Sequence, residues 1–162
     1  DGTCAALQPK VHTPADPEEA ARIEAAGMSV THLEGHPPRI DGHLAVSRGF
    51  GDFRFKGQEG CPPERQPVSP VPDETTVALG EDDAFLLLGS DGVFERLSPT
   101  QAAGVVYEAM ARGESEAAAA EALLRAAVAP EHADAARGLG GDNATAIVVG
   151  LRWGGARAGA AS

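Results

Sequence analysis

The feature that most constrains this chain is an apolar run that changes abruptly to acid and glycine, residues 85–95 (FLLLGSDGVFE). Its first residues predict a short buried strand, because they are continuously apolar and a glycine follows them. A carboxylate at the end of a buried strand is costly unless a positive group meets it, and a divalent cation is one such partner. The simpler interpretation is an Asx turn, in which Asp91 caps its own backbone before Gly92.

A second acid stands at the start of another apolar segment. Asp142 and Asn143 directly precede residues 144–151, whose β-branched composition predicts a strand. If the two strands are antiparallel neighbours, the end of the first lies beside the start of the second, and Asp91 and Asp142 converge. Mg²⁺ and Mn²⁺ prefer a few carboxylates completed by water. The order of strands and acids therefore predicts a divalent-metal site.

Composition narrows the classes of partner. The chain has 162 residues, enough for about one domain with a real core, and a formal charge of -11. That charge argues against binding to nucleic acid or to an anionic membrane, since both need basic surface. No apolar run approaches membrane-spanning length, and no signal peptide is evident. Cys4 and Cys61 match no metal or redox spacing, which favours reduced thiols and an intracellular location, cytoplasmic or nuclear, with a single disulfide as the alternative.

The two ends of the sequence are unusual. The chain begins without Met on Asp1-Gly2, a hairpin-turn dipeptide with no first strand before it, so we expect a piece of a longer protein. At the other end, residues 153–162 are rich in Gly and Ala and predict a disordered tail.

The first predicted helix has signals at both ends. Asp16 is the N-cap, Pro17 occupies the first helical position, Glu19 stands at the capping-box position and Gly27 follows the last turn.

Two further helices are predicted in the second half of the chain. One begins after Ser98 in a capping box and ends at Gly113, and the other is capped by Ser115 and runs to about Ala129 before a loop over residues 132–141.

The remaining strand predictions are short. Residues 30–33 predict a strand, and residues 39–46 predict a hairpin about an Asp-Gly turn. Residues 75–79 and 84–88 predict a second hairpin across the loop 80–83. Three histidines between residues 32 and 43 invite a metal interpretation, but Pro and Gly between them exclude the helix that their spacing requires.

Four segments, in this order, carry a family resemblance: residues 44–53 (LAVSRGFGDF), 66–73 (QPVSPVPD), 86–95 (LLLGSDGVFE) and 141–149 (GDNATAIVV). They resemble motifs of the metal-dependent serine/threonine protein phosphatases of the 2C type. The segment His12-Thr13-Pro14 with the Glu-rich helix after it is also similar. The similarity extends from residue 1 to about residue 152.

The resemblance implies an α+β fold, an α-β-β-α sandwich of two antiparallel sheets flanked by helix pairs, with the N-terminal part missing. Residues 1–152 are then the C-terminal portion of a catalytic domain. The family's activity is hydrolysis of phosphoserine and phosphothreonine in proteins by a water activated by two Mg²⁺ or Mn²⁺ ions. We expect a phosphoprotein substrate and a monomer in the complete form.

The resemblance also implies roles for individual residues. Asp91 and Asp142 match metal-ligand aspartates, and Gly92 is expected to let the backbone turn beside the first of them. Glu95 replaces an aspartate that helps to bind a weaker third metal. The substrate-proximal region includes three basic residues, Arg48, Arg54 and Lys56.

The family's D-G-H-G-G motif, whose aspartate bridges the two metals, is not present in the chain. We therefore expect this chain alone to be inactive. The alternative from another class is a non-catalytic phosphatase-like module that binds a protein partner or a phosphopeptide.

Overall fold

The computed structural model describes residues 6–128 and 141–153, which fall into two compact units. The N-terminal unit comprises residues 9–76, and the described part of the C-terminal unit comprises residues 77–128 and 141–153 together with residues 6–8. Within the described residues, the elements in chain order are α1 (Pro17–Ala25), β1 (Val30–Thr31), β2 (Arg39–Ile40), β3 (Phe85–Gly89), α2 (Asp91–Phe94), α3 (Pro99–Ala111), α4 (Glu116–Ala127) and β4 (Ala146–Gly150). Short 3₁₀ turns lie at Phe53–Phe55 and Pro63–Arg65.

Helix α1 begins and ends where its sequence signals predict. The Asp16 carboxylate accepts a hydrogen bond from the backbone N–H of Glu18, with Pro17 at the first helical position. After the last turn Gly27 adopts a φ of 84°, and the N–H of Met28 reaches back to the carbonyl of Ile23 at 3.2 Å. This arrangement is a Schellman cap, so the predicted helix is confirmed at both ends.

The N-terminal unit contains a two-stranded sheet and a small apolar core. Strands β1 and β2 are antiparallel, and the predicted Asp-Gly turn follows β2 with positive φ angles at Asp41 and Gly42. Beyond the turn the predicted strand to residue 46 is reduced to a single bridge between Ile40 and Leu44. The chain then pairs with a distant segment through a parallel bridge between Arg48 and Ser69. The buried apolar side chains of this core are Ile23, Ile40, Phe55 and Val68.

Strands β3 and β4 of the C-terminal unit form an antiparallel ladder that runs from the pair Phe85–Gly150 to the pair Gly89–Ala146. The predicted hairpin between residues 75–79 and 84–88 is wrong, because residues 75–79 are exposed and irregular. The predicted turn is present, since the N–H of Asp83 donates to the carbonyl of Gly80 at 2.9 Å. Pairing with β4 prevails because it offers five residue pairs, and Leu86, Leu87 and Leu88 each lie opposite a β-branched residue.

Helix α4 packs against β4, and α3 packs against α4. Ser98 and Gln101 form the predicted capping box of α3, and the Ser115 hydroxyl caps α4. The core between helices and sheet is aliphatic, and its fully buried side chains include Val93, Ala102, Val106, Ala109, Ala119 and Leu123. The predicted α+β class, helices with small antiparallel sheets, is therefore confirmed.

Some predictions about the end of the chain fall on residues that the structure does not describe. These are the last part of the helix at Ala129, the loop except for Gly141, and the tail after Trp153. Trp153, the first residue of the predicted tail, is held in place because its indole N–H donates to the carbonyl of Asp83 at 3.0 Å. Among residues 6–128 and 141–153, no helix has the length and apolarity needed to cross a membrane.

Candidate functional site

The ladder between β3 and β4 continues past its last regular pair towards the two acids. The backbone N–H of Ser90 donates to the carbonyl of Thr145 at 3.0 Å, and the Ser90 hydroxyl accepts from the N–H of Thr145 at 3.1 Å. The chain entering Asp91 therefore runs beside the chain leaving Asp142. This is the antiparallel relation that the convergence of the two carboxylates requires.

Gly92 sets how closely the two segments approach. A Cβ atom at this position would lie 2.4 Å from the carbonyl oxygen of Asn143 and 3.0 Å from its carbonyl carbon. Its φ is not positive, so glycine is not required here for a turn. We expected Gly92 to serve a backbone turn. The structure gives a different role: only glycine lets the start of α2 contact Asn143, the residue after Asp142.

Each aspartate is oriented by the residue that follows it. Asp91 Oδ1 accepts from the backbone N–H of Gly92 at 2.9 Å, and Asp142 Oδ1 accepts from the N–H of Asn143 at 2.7 Å. The Asx turn given as the simpler role for Asp91 would need the N–H of Val93, which instead donates to the carbonyl of Ser90 at 3.1 Å. The bond from Gly92 uses only one carboxylate oxygen of Asp91. Both side chains are exposed. Within the described ranges, no Lys, Arg or His lies within 4.0 Å of either carboxylate.

Glu95 lies one helical turn after Asp91 at the C-cap of α2, where its N–H donates to the carbonyl of Asp91 at 2.8 Å. The first turn after β3 therefore carries an exposed acid at each end. The described part of the chain nevertheless holds no cluster of three or more His, Cys, Asp or Glu side chains suited to a metal. Asp91 and Asp142 supply hard oxygen donors of the kind Mg²⁺ prefers, and further ligands have to come from water or from other residues.

A second polar cluster lies within the N-terminal unit and is centred on Glu19. The Glu19 side chain is 3% exposed, and its carboxylate receives Arg48 Nη2 at 2.7 Å and Arg22 Nη2 at 2.5 Å. Burial by itself would raise the pKa of Glu19, but hydrogen bonds from the arginines outweigh it and lower the pKa to about 2. Glu19 therefore forms buried ion pairs with Arg22 and Arg48. Its position predicted a capping-box acid, and this prediction is wrong.

The cluster extends from Arg48 to the end of the segment 66–73. Arg48 Nη1 donates to Asp73 Oδ1 at 2.7 Å, and His12 Nε2 lies 2.8 Å from Asp73 Oδ2. The hydrogen bonds from Arg48 and His12 lower the pKa of Asp73. Arg22 adds bonds to the carbonyls of Ser47 and Pro67. The guanidinium groups thus tie α1 to both segments 44–53 and 66–73.

The three basic residues predicted to lie near substrate have different surroundings in the N-terminal unit. Arg48 is occupied by Glu19 and Asp73, as described. The Lys56 ammonium donates to the carbonyl of Gly49 at 2.5 Å and to the carbonyl of Gly51 at 2.6 Å. These bonds close the loop over residues 49–56. Arg54 is exposed, with its guanidinium 5.6 Å from the ring centroid of Phe55.

The sequence matches a known protein family over most of its length. The family model for protein phosphatase 2C matches residues 7–136. The chain belongs to the protein phosphatase 2C family. Among curated relatives, "Probable protein phosphatase 2C 2" of Paramecium tetraurelia is 39% identical over 145 residues, which are 87% of this chain and 46% of the relative. "Probable protein phosphatase 2C 11" of Oryza sativa subsp. japonica is 35% identical over 138 residues, 85% of this chain and 36% of the relative.

Solved structures agree with this assignment. The crystal structure of serine-threonine phosphatase 2C from Toxoplasma gondii matches with a TM-score of 0.72 and 25% identity, over 91% of this chain and 47% of that one. The structure of a Caenorhabditis elegans sex determining protein matches with a TM-score of 0.68 and 26% identity, over 90% of this chain and 32% of that one. The chain thus spans about half the length of its 2C relatives, or less.

The polar contacts that fix the 2C segments to one another were not predicted from the sequence; they are made by Glu19, Arg22, Asp73 and His12. Signals for three of them were present. Glu19 and Arg22 have the i,i+3 spacing of a helical ion pair, and Asp73 ends the segment 66–73. No local signal joins Glu19 or Asp73 to Arg48, because these contacts depend on the tertiary fold.

Proposed function

We propose that residues 1–152 are the C-terminal portion of a 2C catalytic domain that hydrolyses phosphoserine and phosphothreonine in proteins with Mg²⁺ or Mn²⁺. The observation that carries this proposal is the approach of the segments bearing Asp91 and Asp142, at the end of an antiparallel ladder in a chain of the 2C family. We also propose that the complete domain has the α-β-β-α sandwich that the family resemblance implies.

Asp91 and Asp142 are the residues that would hold the metal. Each carboxylate has one oxygen bonded to a neighbouring N–H, and this orients the other oxygen without neutralising the charge. A divalent cation bound there supplies positive charge for a phosphate and lowers the pKa of coordinated water. Glu95 would contribute to a weaker third site from the end of α2.

Gly92 and three basic residues have separate roles in the proposed function, each within its own unit. Gly92 keeps the two aspartate segments in contact. Arg54 presents an exposed guanidinium, whose forked donors suit a phosphate or a carboxylate of a phosphoprotein. Lys56 acts indirectly, since its ammonium bonds to the carbonyls of Gly49 and Gly51 in the loop that carries Arg54. Arg48 also acts indirectly, since its ion pairs join α1 to the segment 66–73.

Two carboxylates bind a divalent cation weakly when the rest of the site is water, because each further protein ligand adds charge and rigidity. We therefore propose that the 162-residue chain by itself has little phosphatase activity and that the complete protein has two metal ions.

The experiment measures Mn²⁺-dependent hydrolysis of a phosphopeptide by the complete protein that contains this chain. Asp91→Asn and Asp142→Asn are each expected to lower kcat/KM by about 100-fold or more, which corresponds to about 2.7 kcal/mol of lost transition-state stabilisation. Asp82→Asn, which removes an exposed acid from the loop before β3, is the control and is expected to leave activity unchanged.

Wild-type rates in both site variants would contradict the metal assignment. A complete protein that binds the phosphopeptide without hydrolysing it in Mn²⁺ would instead support the non-catalytic module.

A further inference from the structure

Two phenylalanine side chains of the N-terminal unit lie almost entirely in solvent. Phe50 is 89% exposed and Phe53 is 82% exposed, whereas Phe55 in the same loop is 6% exposed. A single exposed aliphatic residue is ordinary, but phenylalanine is among the residue types that are most often fully buried. We call residues 49–56, which carry these rings, the aromatic loop.

The aromatic loop is held in one conformation by its own contacts. The Lys56 ammonium binds the carbonyls of Gly49 and Gly51, and the N–H of Phe55 donates to the carbonyl of Asp52 at 2.9 Å. The Phe55 ring anchors the loop in the core of the unit. Asp52 has a φ of 48°, a left-handed conformation that is uncommon for a residue with a side chain. The exposed rings therefore stand on a fixed backbone, which lowers the entropy lost when a partner binds.

The two rings are close enough for one short segment to contact both. Phe50 and Phe53 are three positions apart, so their Cα atoms lie within about 11 Å of each other. An extended peptide covers this distance in about three residues. Two apolar side chains of one peptide can therefore pack on the two rings at the same time.

The charge of the aromatic loop favours one kind of segment. The loop carries the two cations Arg54 and Lys56 and the single acid Asp52, so its formal charge is +1 in a chain of net charge -11. Arg54 is exposed next to Phe53, and within the described ranges no carboxylate lies within 4.0 Å of its guanidinium. Complementary charge attracts and orients a partner, so an acidic segment suits this surface.

We propose that Phe50, Phe53 and Arg54 form a docking surface for an acidic, apolar peptide segment of a partner protein. Apolar side chains of the segment pack on the two rings, and an Asp or Glu carboxylate beside them pairs with the forked donors of Arg54. Phenylalanine and arginine are both enriched at protein interfaces. Because this surface recognises apolar groups and carboxylates, it needs no phosphate on the segment, and the inference goes beyond the proposed hydrolysis.

The part of the 2C domain outside this sequence is the less favoured occupant. The exposed rings alternate with Asp52 and Arg54, whose side chains are exposed and form no ion pair within the described residues. Burial of such charges inside a domain is costly unless each one finds a partner. A mixture of aromatic rings and accessible charges is instead typical of a surface that binds another protein.

The first measurement asks whether the rings are uncovered in the complete protein that contains this chain. Hydroxyl-radical footprinting with mass spectrometry reports the solvent access of each phenylalanine. We expect Phe50 and Phe53 to be oxidised at least about tenfold faster than Phe55, the internal control, in proportion to exposed fractions of 82% or more against 6%. Equal protection of all three rings would show that the rest of the domain covers the loop, and this would overturn the proposal.

The second measurement identifies the segment. Random peptides displayed on phage are selected on the complete protein, and the enriched sequence is synthesised with a fluorescent label for anisotropy. We expect this sequence to combine large apolar residues with Asp or Glu. Phe50→Ser and Phe53→Ser should each weaken its binding by about tenfold or more, because each removes an aromatic contact. Arg54→Gln should weaken it by about threefold or more, and by less when the acids of the peptide are replaced by amides.

Leu33→Ser is the matched control, because Leu33 is 55% exposed in the same unit and lies outside the aromatic loop. Its binding should equal that of wild type. The rings of Phe50 and Phe53 lie in solvent, so their Ser variants should keep the wild-type midpoint in urea, which separates lost binding from lost folding. Failure to enrich an apolar acidic sequence would overturn the proposal. So would equal binding to wild type and both Phe variants, or a homodimer that Phe50→Ser dissociates.

Neither measurement uses a phosphorylated peptide or Mn²⁺, so both are independent of catalysis. A protein that binds the selected peptide through Phe50 and Phe53 but hydrolyses no phosphopeptide would contradict the proposed function only. An active phosphatase whose rings are protected from oxidation would contradict only the docking surface.

Discussion

Gly92 offers the sharpest test of how the candidate site is built. A Cβ atom at residue 92 would lie 2.4 Å from the carbonyl oxygen of Asn143, whereas real contacts of this kind essentially never fall below 3.0 Å. In Gly92→Ala the two backbones therefore have to separate by at least about 0.6 Å, the difference between those distances. Because Asp91 and Asp142 flank this contact, the same movement shifts the two carboxylates apart.

The cost follows from overpacking of backbone against backbone. Inserting a methyl group into a closely packed place costs about 1–3 kcal/mol. Replacing Gly by Ala in a helix returns at most about 1 kcal/mol, and α2 is only one turn long. We expect a net loss of about 1–2 kcal/mol in the free energy of unfolding, or about 2–8 °C in Tm for a chain of this size. Mn²⁺ affinity of the complete protein should fall by about tenfold, as for other changes that displace metal ligands.

Gly104→Ala is the matched control for this experiment. Gly104 lies inside α3, and a Cβ atom there would meet nothing within 4 Å. This substitution is expected to stabilise the chain by about 0.5–1 kcal/mol through helix propensity. Urea denaturation measures both stabilities, and calorimetric titration with MnCl₂ measures affinity. If Gly92→Ala is as stable as wild type and binds Mn²⁺ equally well, the close approach does not set the site.

Two further predictions concern stability. The lowered pKa of Glu19 means that its ion pairs stabilise the fold above its unfolded pKa near 4.5 and are lost as the pH falls towards about 2. Glu19→Gln should remove this pH dependence and cost about 1–2 kcal/mol at pH 7 after allowance for solvent screening, whereas Glu24→Gln, on the exposed side of α1, should behave as wild type in urea denaturation. Ser98→Ala removes the acceptor for the N–H of Gln101 and should cost about 1 kcal/mol in thermal unfolding, and a change below about 0.3 kcal/mol would show that this cap is dispensable.

Local signals predicted the helices well. The caps at Asp16, Ser98 and Ser115 all hold, because an N-cap depends on residues within one helical turn and on little else. The Asp-Gly turn at residues 41–42 holds for the same reason. Strand pairing was predicted less well, since residues 75–79 are suited to a hairpin locally but have no ladder. A strand pairs with the segment that best covers it, and this choice is made across the whole fold.

The polar cluster centred on Glu19 was likewise predicted only in part from the sequence. The i,i+3 relation of Glu19 and Arg22 is visible in the sequence, and Arg48 was singled out as a basic residue near substrate. In the folded chain the buried Glu19 carboxylate binds both guanidinium groups. This contact depends on the bridge between Arg48 and Ser69, which joins segments 21 residues apart. Charge alone does not predict whether an arginine faces solvent or a buried acid.

For the candidate metal site, the sequence by itself determined that an acid follows one apolar strand and another acid precedes a second. It also identified Asp91 and Asp142 as the pair to compare, because the continuous apolar runs and the abrupt change to polar residues are local properties. Only the tertiary structure decided that β3 pairs with β4, which brings the two strand ends together. It also decided that Gly92 is needed for contact with Asn143 and not for a turn. Register and close backbone approach are collective results of packing, so residues 51 positions apart acquire a common site only when the chain has folded.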